Sequence, residues 1–300
     1  MPFVQANRKK SKLRMTLDGP AGSGKTYTAL RFAHALSNGG RIAFIDTERG
    51  SASKYAGEAP DGKPWNFDVM ELTTFSPEVY TQAINEAGRA GYTVLVIDSL
   101  SHAWEGVGGA LEIKDRGGSN QYTAWRTVTP IHNRMVDAIL QSPLHVITCM
   151  RSRMEYVQDV DEKGKVIGIR KVGMSPIQRP GMEYEFDVVC DLDWSHILTV
   201  SKSRCSAIAD LKMEKPGADF MQPVMAWLEG GEPVTQTQTT PTQPMPTVTP
   251  QPTPTIAPEP TVTLDTLLNL FGADKILEAG AGKFPETQEQ VQAIFDKLAA

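Results

Sequence analysis

The chain has 300 residues, enough for one large domain or two small ones, and a formal net charge of −5 that excludes a globally basic nucleic-acid binder. No apolar run approaches the length a membrane helix needs, and the basic start, Met1 to Arg14, lacks the apolar stretch of a secretory signal. Cys149, Cys190 and Cys205 have no metal-ligand spacing; they read as reduced thiols in or beside strands, which points to the cytoplasm and to no membrane partner.

In chain order, Leu13 to Leu17 reads as a short strand. It runs into Gly19-Pro20-Ala21-Gly22-Ser23-Gly24-Lys25-Thr26, a complete P-loop. Its glycines let consecutive N–H groups turn inward around a phosphate, with no Cβ in the way. Lys25 has the reach for the β- and γ-phosphates of a nucleoside triphosphate, and the Thr26 hydroxyl takes a place on Mg²⁺. Helical spacing from Lys25 to Ser37, stopped by Gly39-Gly40, puts the loop at a helix N-terminus, where free N–H groups and the macrodipole favour an anion. The nucleotide-binding stretch is therefore Gly19 to Tyr27.

Arg41 to Asp46 is the next strand. Ser76-Pro77-Glu78 opens a helix with an N-cap and a Pro at its first position, and Gly91 ends it. Thr93 to Asp98 is the most apolar strand and is expected to be central. A helix over Tyr122 to Leu140 leads into the strand Leu144 to Cys149. This alternation predicts an α/β fold, a mostly parallel sheet with helices on both faces. Met154 to Arg170 reads as a hairpin turning at Asp161-Glu162-Lys163-Gly164, and Phe186 to Ser203 as two antiparallel strands. From Gly230 to about Val262 the chain is rich in Pro, Thr and Gln, the composition of an extended linker. Leu264 to Phe271 and Thr287 to Leu298 read as short amphipathic helices. The division is thus 1–229 for the nucleotide-binding domain, 230–262 for the linker and 263–300 for a tail too short to fold securely alone.

Asp98, at the end of its apolar strand, fits the Walker B role of ordering Mg²⁺. Ser99 and Leu100 follow it, with no adjacent Glu, which argues against the AAA+ and helicase classes. No Asn-Lys-x-Asp stretch reads guanine, so ATP is the expected nucleotide, and no Ser-Gly-Gly-Gln marks a transporter ATPase. A water-activating base must come from another strand end. Glu48 supplies it, on a strand expected to neighbour the P-loop strand. The five histidines, His34, His102, His132, His145 and His196, have no ligand spacing, and no metal other than Mg²⁺ is expected. Trp104, Trp125, Met135 and Ile139 read as core.

Phe44-Ile45-Asp46-Thr47-Glu48, with Lys54-Tyr55-Ala56 after it, and Val96-Ile97-Asp98-Ser99-Leu100 resemble the matching stretches of RecA-like recombinases. The likeness covers about residues 12 to 228 and is nearest to phage-encoded RecA-like ATPases, a group with single-strand-annealing and recombination-mediator members. It implies that Glu48 polarises the attacking water. It also implies that Lys202 and Arg204, in Ser201-Lys202-Ser203-Arg204, reach across a subunit interface to a neighbour's γ-phosphate, in a homo-oligomeric ring or filament. Arg151 stands where the family has a Gln sensor of the γ-phosphate. Two loops would line a DNA channel: Gly106 to Gln121, with Lys114 and Arg116, and Met150 to Arg179, with Arg153, Lys163, Lys165, Arg170 and Lys171. The expected role is ATP hydrolysis in phage DNA recombination, annealing or replication on single-stranded DNA, with the tail tethering a single-strand-binding or other replication protein. The same core also fits a regulatory or assembly ATPase that switches protein partners without DNA.

Overall fold

The computed structural model describes residues 10–58, 60, 62–117, 121–160 and 166–230, with 285, 290, 291, 293, 294 and 297; at 121–123, 156–160 and 166–172 it describes the backbone alone. The chain divides into two units, Met1–Gln236 and Thr237–Ala300. In the second, Gln290, Val291, Ala293, Ile294 and Lys297 are helical with Val291 and Ile294 buried, while Leu264 to Phe271 and the linker stretch 231–262 lie outside the described residues.

The first unit is built on β1 (Arg14–Gly19), β2 (Ile42–Asp46), β3 (Asp68–Glu71), β4 (Val94–Asp98), β5 (His145–Val160), β6 (Val166–Pro176), β7 (Val188–Leu192), β8 (Ile197–Ser203) and β9 (Lys212–Glu214). Its helices are α1 (Lys25–Ser37), α2 (Pro77–Arg89), α3 (His102–Glu105), α4 (Ala110–Arg116), α5 (Gln121–Gln141) and α6 (Ala218–Glu229). The sheet order is β3-β2-β4-β5-β1-β7-β8-β9, with β6 paired to the outer half of β5. From β3 to β7 all neighbours are parallel; β8 and β9 add antiparallel pairs at one edge. This is an α/β P-loop NTPase fold.

Alternation along the strands makes the two layers. Met15, Leu17, Phe44, Val94, Val96 and Ile147 point to one face, where α1 and α6 cover them and Phe32 stacks on Phe220 at 4.9 Å. Ala43, Ile45, Leu95, Ile97 and Val146 point to the other, against α2 and α5. Met135 and Ile139 are buried on that side, as their spacing implies. Trp104 stacks on Trp125, but both are only half-buried and belong to neither core layer, so the reading of them as core is corrected. Helix α2 begins as expected: the Ser76 side chain accepts from Val79 N and Pro77 opens the first turn. All three cysteines are buried and free.

Three further expectations need correction. The strand carrying Glu48 does not neighbour the P-loop strand: β1 lies between β5 and β7, and both β4 and β5 stand between it and β2. Apolarity cannot order strands that are all buried on both faces. The stretch Gly106 to Gln121 is not one loop, since α4 occupies Ala110–Arg116 and Gln121 begins α5. The strand ending at Cys149 does not stop there; β5 runs unbroken to Val160, so the predicted hairpin is the outer half of a central strand paired with β6, its turn lying outside the described residues.

Asp18, on β1, pairs in register with Asp191 on β7. Burial, reinforced by the Asp191 charge, pushes its carboxyl up to about 8 although Thr16 donates to it. A carboxyl whose folded pKa is raised stabilises the fold fully below the unfolded value, and that contribution is lost as pH rises through about 8. Thermal melting should therefore show the wild type losing more stability than Asp18→Asn as pH is raised from about 6 to about 9. Parallel pH profiles of the two proteins would remove Asp18 from this role.

Candidate functional site

The parallel register brings the ends of β1, β2 and β4 level with the middle of β5. Gly19 on β1 is opposite Arg151 on β5, Asp98 on β4 is opposite Cys149, and Asp46 on β2 is opposite Asp98. Everything that leaves the sheet at this edge, the P-loop, the turn after Asp46 and the segment after Asp98, faces one cleft of about 950 Å³. Such a crevice beyond the carboxyl ends of parallel strands is where α/β folds bind ligands.

The P-loop is shaped by backbone freedom. Gly24, the N-cap of α1, sits at φ 89°, a left-handed conformation, and contributes no side-chain cap, so the first N–H groups of α1 are left to an external acceptor. At Gly19 a Cβ would come 2.5 Å from the carbonyl oxygen of Leu192. Lys25 Nζ donates to the Gly19 and Pro20 carbonyls at 2.9 and 2.8 Å, folded back over its own loop. Thr26 Oγ1 donates to Asp98 Oδ2 at 2.5 Å.

Burial pushes the Asp98 carboxyl up to about 6; the Thr26 hydrogen bond opposes this, and the Glu48 charge adds to it. A hydroxyl and a carboxylate touching at a helix N-terminus are hard oxygen donors, which is the chemistry Mg²⁺ takes, and the two residues fit that ion.

Glu48 is placed by Asp46. One Asp46 oxygen accepts from Glu48 N at 2.6 Å and the other from Ala52 N at 3.0 Å, which folds the chain after β2 into a tight turn. Thr47 fixes the same turn to the segment after β4: its N–H donates to Asp98 O, its hydroxyl accepts from Ser99 N at 2.8 Å, and it shares a 2.6 Å hydrogen bond with His102 Nδ1. Glu48 lines the cleft with Lys25, Thr26 and Asp98, and so does Arg151, which donates to Glu48 Oε1.

Of the P-loop residues named from the sequence, Ala21, Gly22, Gly24, Lys25, Thr26 and Tyr27 line the cleft; Gly19 and Pro20 border a smaller neighbouring cavity, and Ser23 is buried. Lys202 and Arg204 are not brought to this site. They lie level with the start of β1, at the far end of the sheet, where Lys202 Nζ donates to the Glu183 and Tyr184 carbonyls and Arg204 Nη1 to Asp187 Oδ1.

Three of the seven proposed DNA-contact cations have described side chains, and each of these three faces a carboxylate of the chain. Lys114 pairs with Asp115, Arg116 with Glu112, and Arg153 lies 4.0 Å from Glu105. Lys163 and Lys165 lie outside the described residues, and for Arg170 and Lys171 only the β6 backbone is described. Sequence reasoning missed the outer wall of the cleft, made by Arg31, Glu105, His196, Lys215 and Pro216 together with Tyr55. Arg31 holds this wall to α1 by donating to the Lys215 and Pro216 carbonyls. His196 Nδ1 meets Ser23 O at 3.1 Å. Only Tyr55 carried a signal, its spacing after Glu48.

A family model described as an AAA domain matches residues 11–241. The chain belongs to the AAA domain family of P-loop ATPases. Absence of a Glu beside Asp98, from which the sequence argued against the AAA+ class, therefore does not set it apart from a family of that name. Membership brings ATP binding and ATPase activity as the general role of this AAA domain. No curated protein matches the chain. Among the described residues no helix is long and apolar enough to cross a membrane.

Because Asp98 takes up a proton near pH 6, binding of the Mg²⁺–nucleotide should weaken as pH is lowered through that value. Asp98→Asn should bind poorly throughout and lose this dependence. Titration with a fluorescent nucleotide on either side of that pH checks both; an unchanged pH profile in Asp98→Asn would point to another group.

Proposed function

We propose that the chain is a RecA-like, Mg²⁺-dependent ATPase acting on single-stranded DNA in recombination, annealing or replication, as a homo-oligomer of ring or filament form. The observation that carries the hydrolytic part is one cleft holding a P-loop, the Thr26–Asp98 pair and, opposite them, the carboxylate of Glu48. The triphosphate lies along the P-loop, its phosphates taken by main-chain N–H groups at the start of α1 and by Lys25 once it turns from its own carbonyls. Thr26 and Asp98 would hold Mg²⁺, which when bound would offset the negative charge of the phosphates. Glu48 accepts a proton from water as the water oxygen bonds to the γ-phosphorus. The bond from that phosphorus to the bridging oxygen breaks, and ADP leaves with the electron pair. Tyr55 and Arg31 line the outer wall, where the nucleobase would lie.

The oligomer draws on the resemblance, which assigns Lys202 and Arg204 a role across a subunit interface. Lying at the far end of their own sheet, they can complete an active site only in a neighbour. The reading as a partner-switching ATPase without DNA draws on a different observation, the intrachain pairing of Lys114, Arg116 and Arg153. The phage setting and a tail that tethers a single-strand-binding or other replication protein belong to the first reading.

Glu48→Gln should keep nucleotide binding and lose about 10²- to 10⁴-fold in turnover; near-normal turnover would remove Glu48 as the base. ATPase rates measured with and without single-stranded DNA separate the two readings. Stimulation that fades with added salt supports the DNA reading, and indifference to DNA supports the partner switch. Mixing Lys25→Ala with Arg204→Ala protein should restore part of the activity if the basic pair acts in trans, and co-assembled mixtures that stay inactive would count against it.

A further inference from the structure

Glu48 and Arg151 hold each other across the cleft. Both guanidinium contacts, from Nε at 3.1 Å and Nη2 at 2.7 Å, fall on the same carboxylate oxygen, Oε1. The two side chains are 30% and 43% exposed, so this is an open ion pair that contributes little to folding and exchanges readily. Their backbones, by contrast, are fixed. Arg151 N donates to Ser101 Oγ at 2.9 Å and its Cα stands level with Gly19, while Glu48 N is held by Asp46. Only side-chain rotation is needed to part them. Arg153, two positions along β5, faces Glu105 and is not part of the cleft lining, which leaves Arg151 as the cation of that strand placed for a phosphate.

Two guanidinium hydrogen bonds on Oε1 fix the direction in which the Glu48 carboxylate points, so a water at the terminal phosphate must draw it away from Arg151 before it can take the proton. A terminal phosphate lying between Lys25 and Glu48 offers the same guanidinium more charge and more oxygens in a geometry that suits it. We infer that Arg151 is a latch on Glu48 that the terminal phosphate of the nucleotide releases: the guanidinium transfers from the carboxylate to the phosphate, and the base is freed only when there is a phosphate to attack. The inference rests on the nucleotide-hydrolysing reading of the cleft and adds a regulator to it. Its consequence is reciprocal. A triphosphate must break the Glu48–Arg151 pair and a diphosphate need not, so the pair sets how well the protein tells ATP from ADP.

The test is equilibrium titration of the full chain, with Mg²⁺, by ADP and by a non-hydrolysable ATP analogue. Four proteins are compared: wild type, Glu48→Gln, Arg151→Ala and the double variant, each checked for an unchanged melting transition. Glu48→Gln removes the charge that competes for Arg151. It should tighten the analogue about two- to fivefold and leave ADP alone. In the Arg151→Ala background the same change should alter neither nucleotide. Arg151→Lys, which keeps the charge, should retain part of the analogue preference that Arg151→Ala loses. No effect of Glu48→Gln, equal tightening of both nucleotides, or the same tightening without Arg151 overturns the latch while leaving the nucleotide reading intact. Failure of the wild type to bind either nucleotide, or binding that survives Lys25→Ala undiminished, overturns the nucleotide reading and the latch with it.

Discussion

The site depends on one constraint, the in-register parallel pairing of β2, β4, β5 and β1. Lys25, Asp98, Glu48 and Arg151 come from four separate stretches of chain, and no local interaction brings them together. They meet because Asp46, Asp98, Cys149 and Leu17 stand on one rung, so that the turns after β2 and β4, the P-loop after β1 and Arg151 two residues along β5 lie near one height. A slip of one residue in any pair would exchange the side chains packed under α1 and α6 with those packed under α2 and α5, so close packing in two layers enforces the register that the chemistry uses. The hydrogen bond from Thr26 to Asp98 is the first product of this alignment, joining the start of α1 to the end of β4.

Holding the site costs stability in identifiable places. Asp98 is buried beside the P-loop with its carboxyl pushed up, and Asp18 on β1 and Asp191 on β7 sit as neighbours beyond β5. A polar network with good geometry offsets this. Thr47, Ser99, His102 and Tyr80 satisfy one another around the turn after β4, the Tyr80 hydroxyl donating to Ser99 O at 2.8 Å. At the opposite end of the sheet the buried Arg14 guanidinium donates to the carbonyls of Leu140, Ser142 and Leu144, closing the end of α5. One end of the sheet is thus sealed by an internal cation, and the other is left open to an anion.

Much of this was legible in the residues themselves. The P-loop is a local motif, in which glycine, lysine and threonine act within a few positions, and local motifs survive without knowledge of the fold. The boundaries of α1 and α2 were legible too, because Gly39-Gly40 and Ser76-Pro77 impose backbone conformations. Strand order was not. β1 and β4 are buried along their whole length and so is most of the inner half of β5, and nothing in their composition says that β5 lies between β1 and β4. The outer wall of the cleft was equally hidden: Arg31, His196 and Pro216 come together from an early helix, a turn and a loop that periodicity leaves unrelated. The short edge strand β3 and the helix α4 carry too few apolar residues to announce themselves.

The central claim is that Glu48 serves the terminal phosphate gripped by the P-loop. A structure of the protein with Mg²⁺, ADP and a planar phosphoryl-transfer analogue tests it most directly. The account predicts the Glu48 carboxylate within hydrogen-bonding distance of the apical water, on the side of the analogue facing away from the bridging oxygen. A Glu48 side chain turned into solvent in that complex, with another group holding the water, would contradict it.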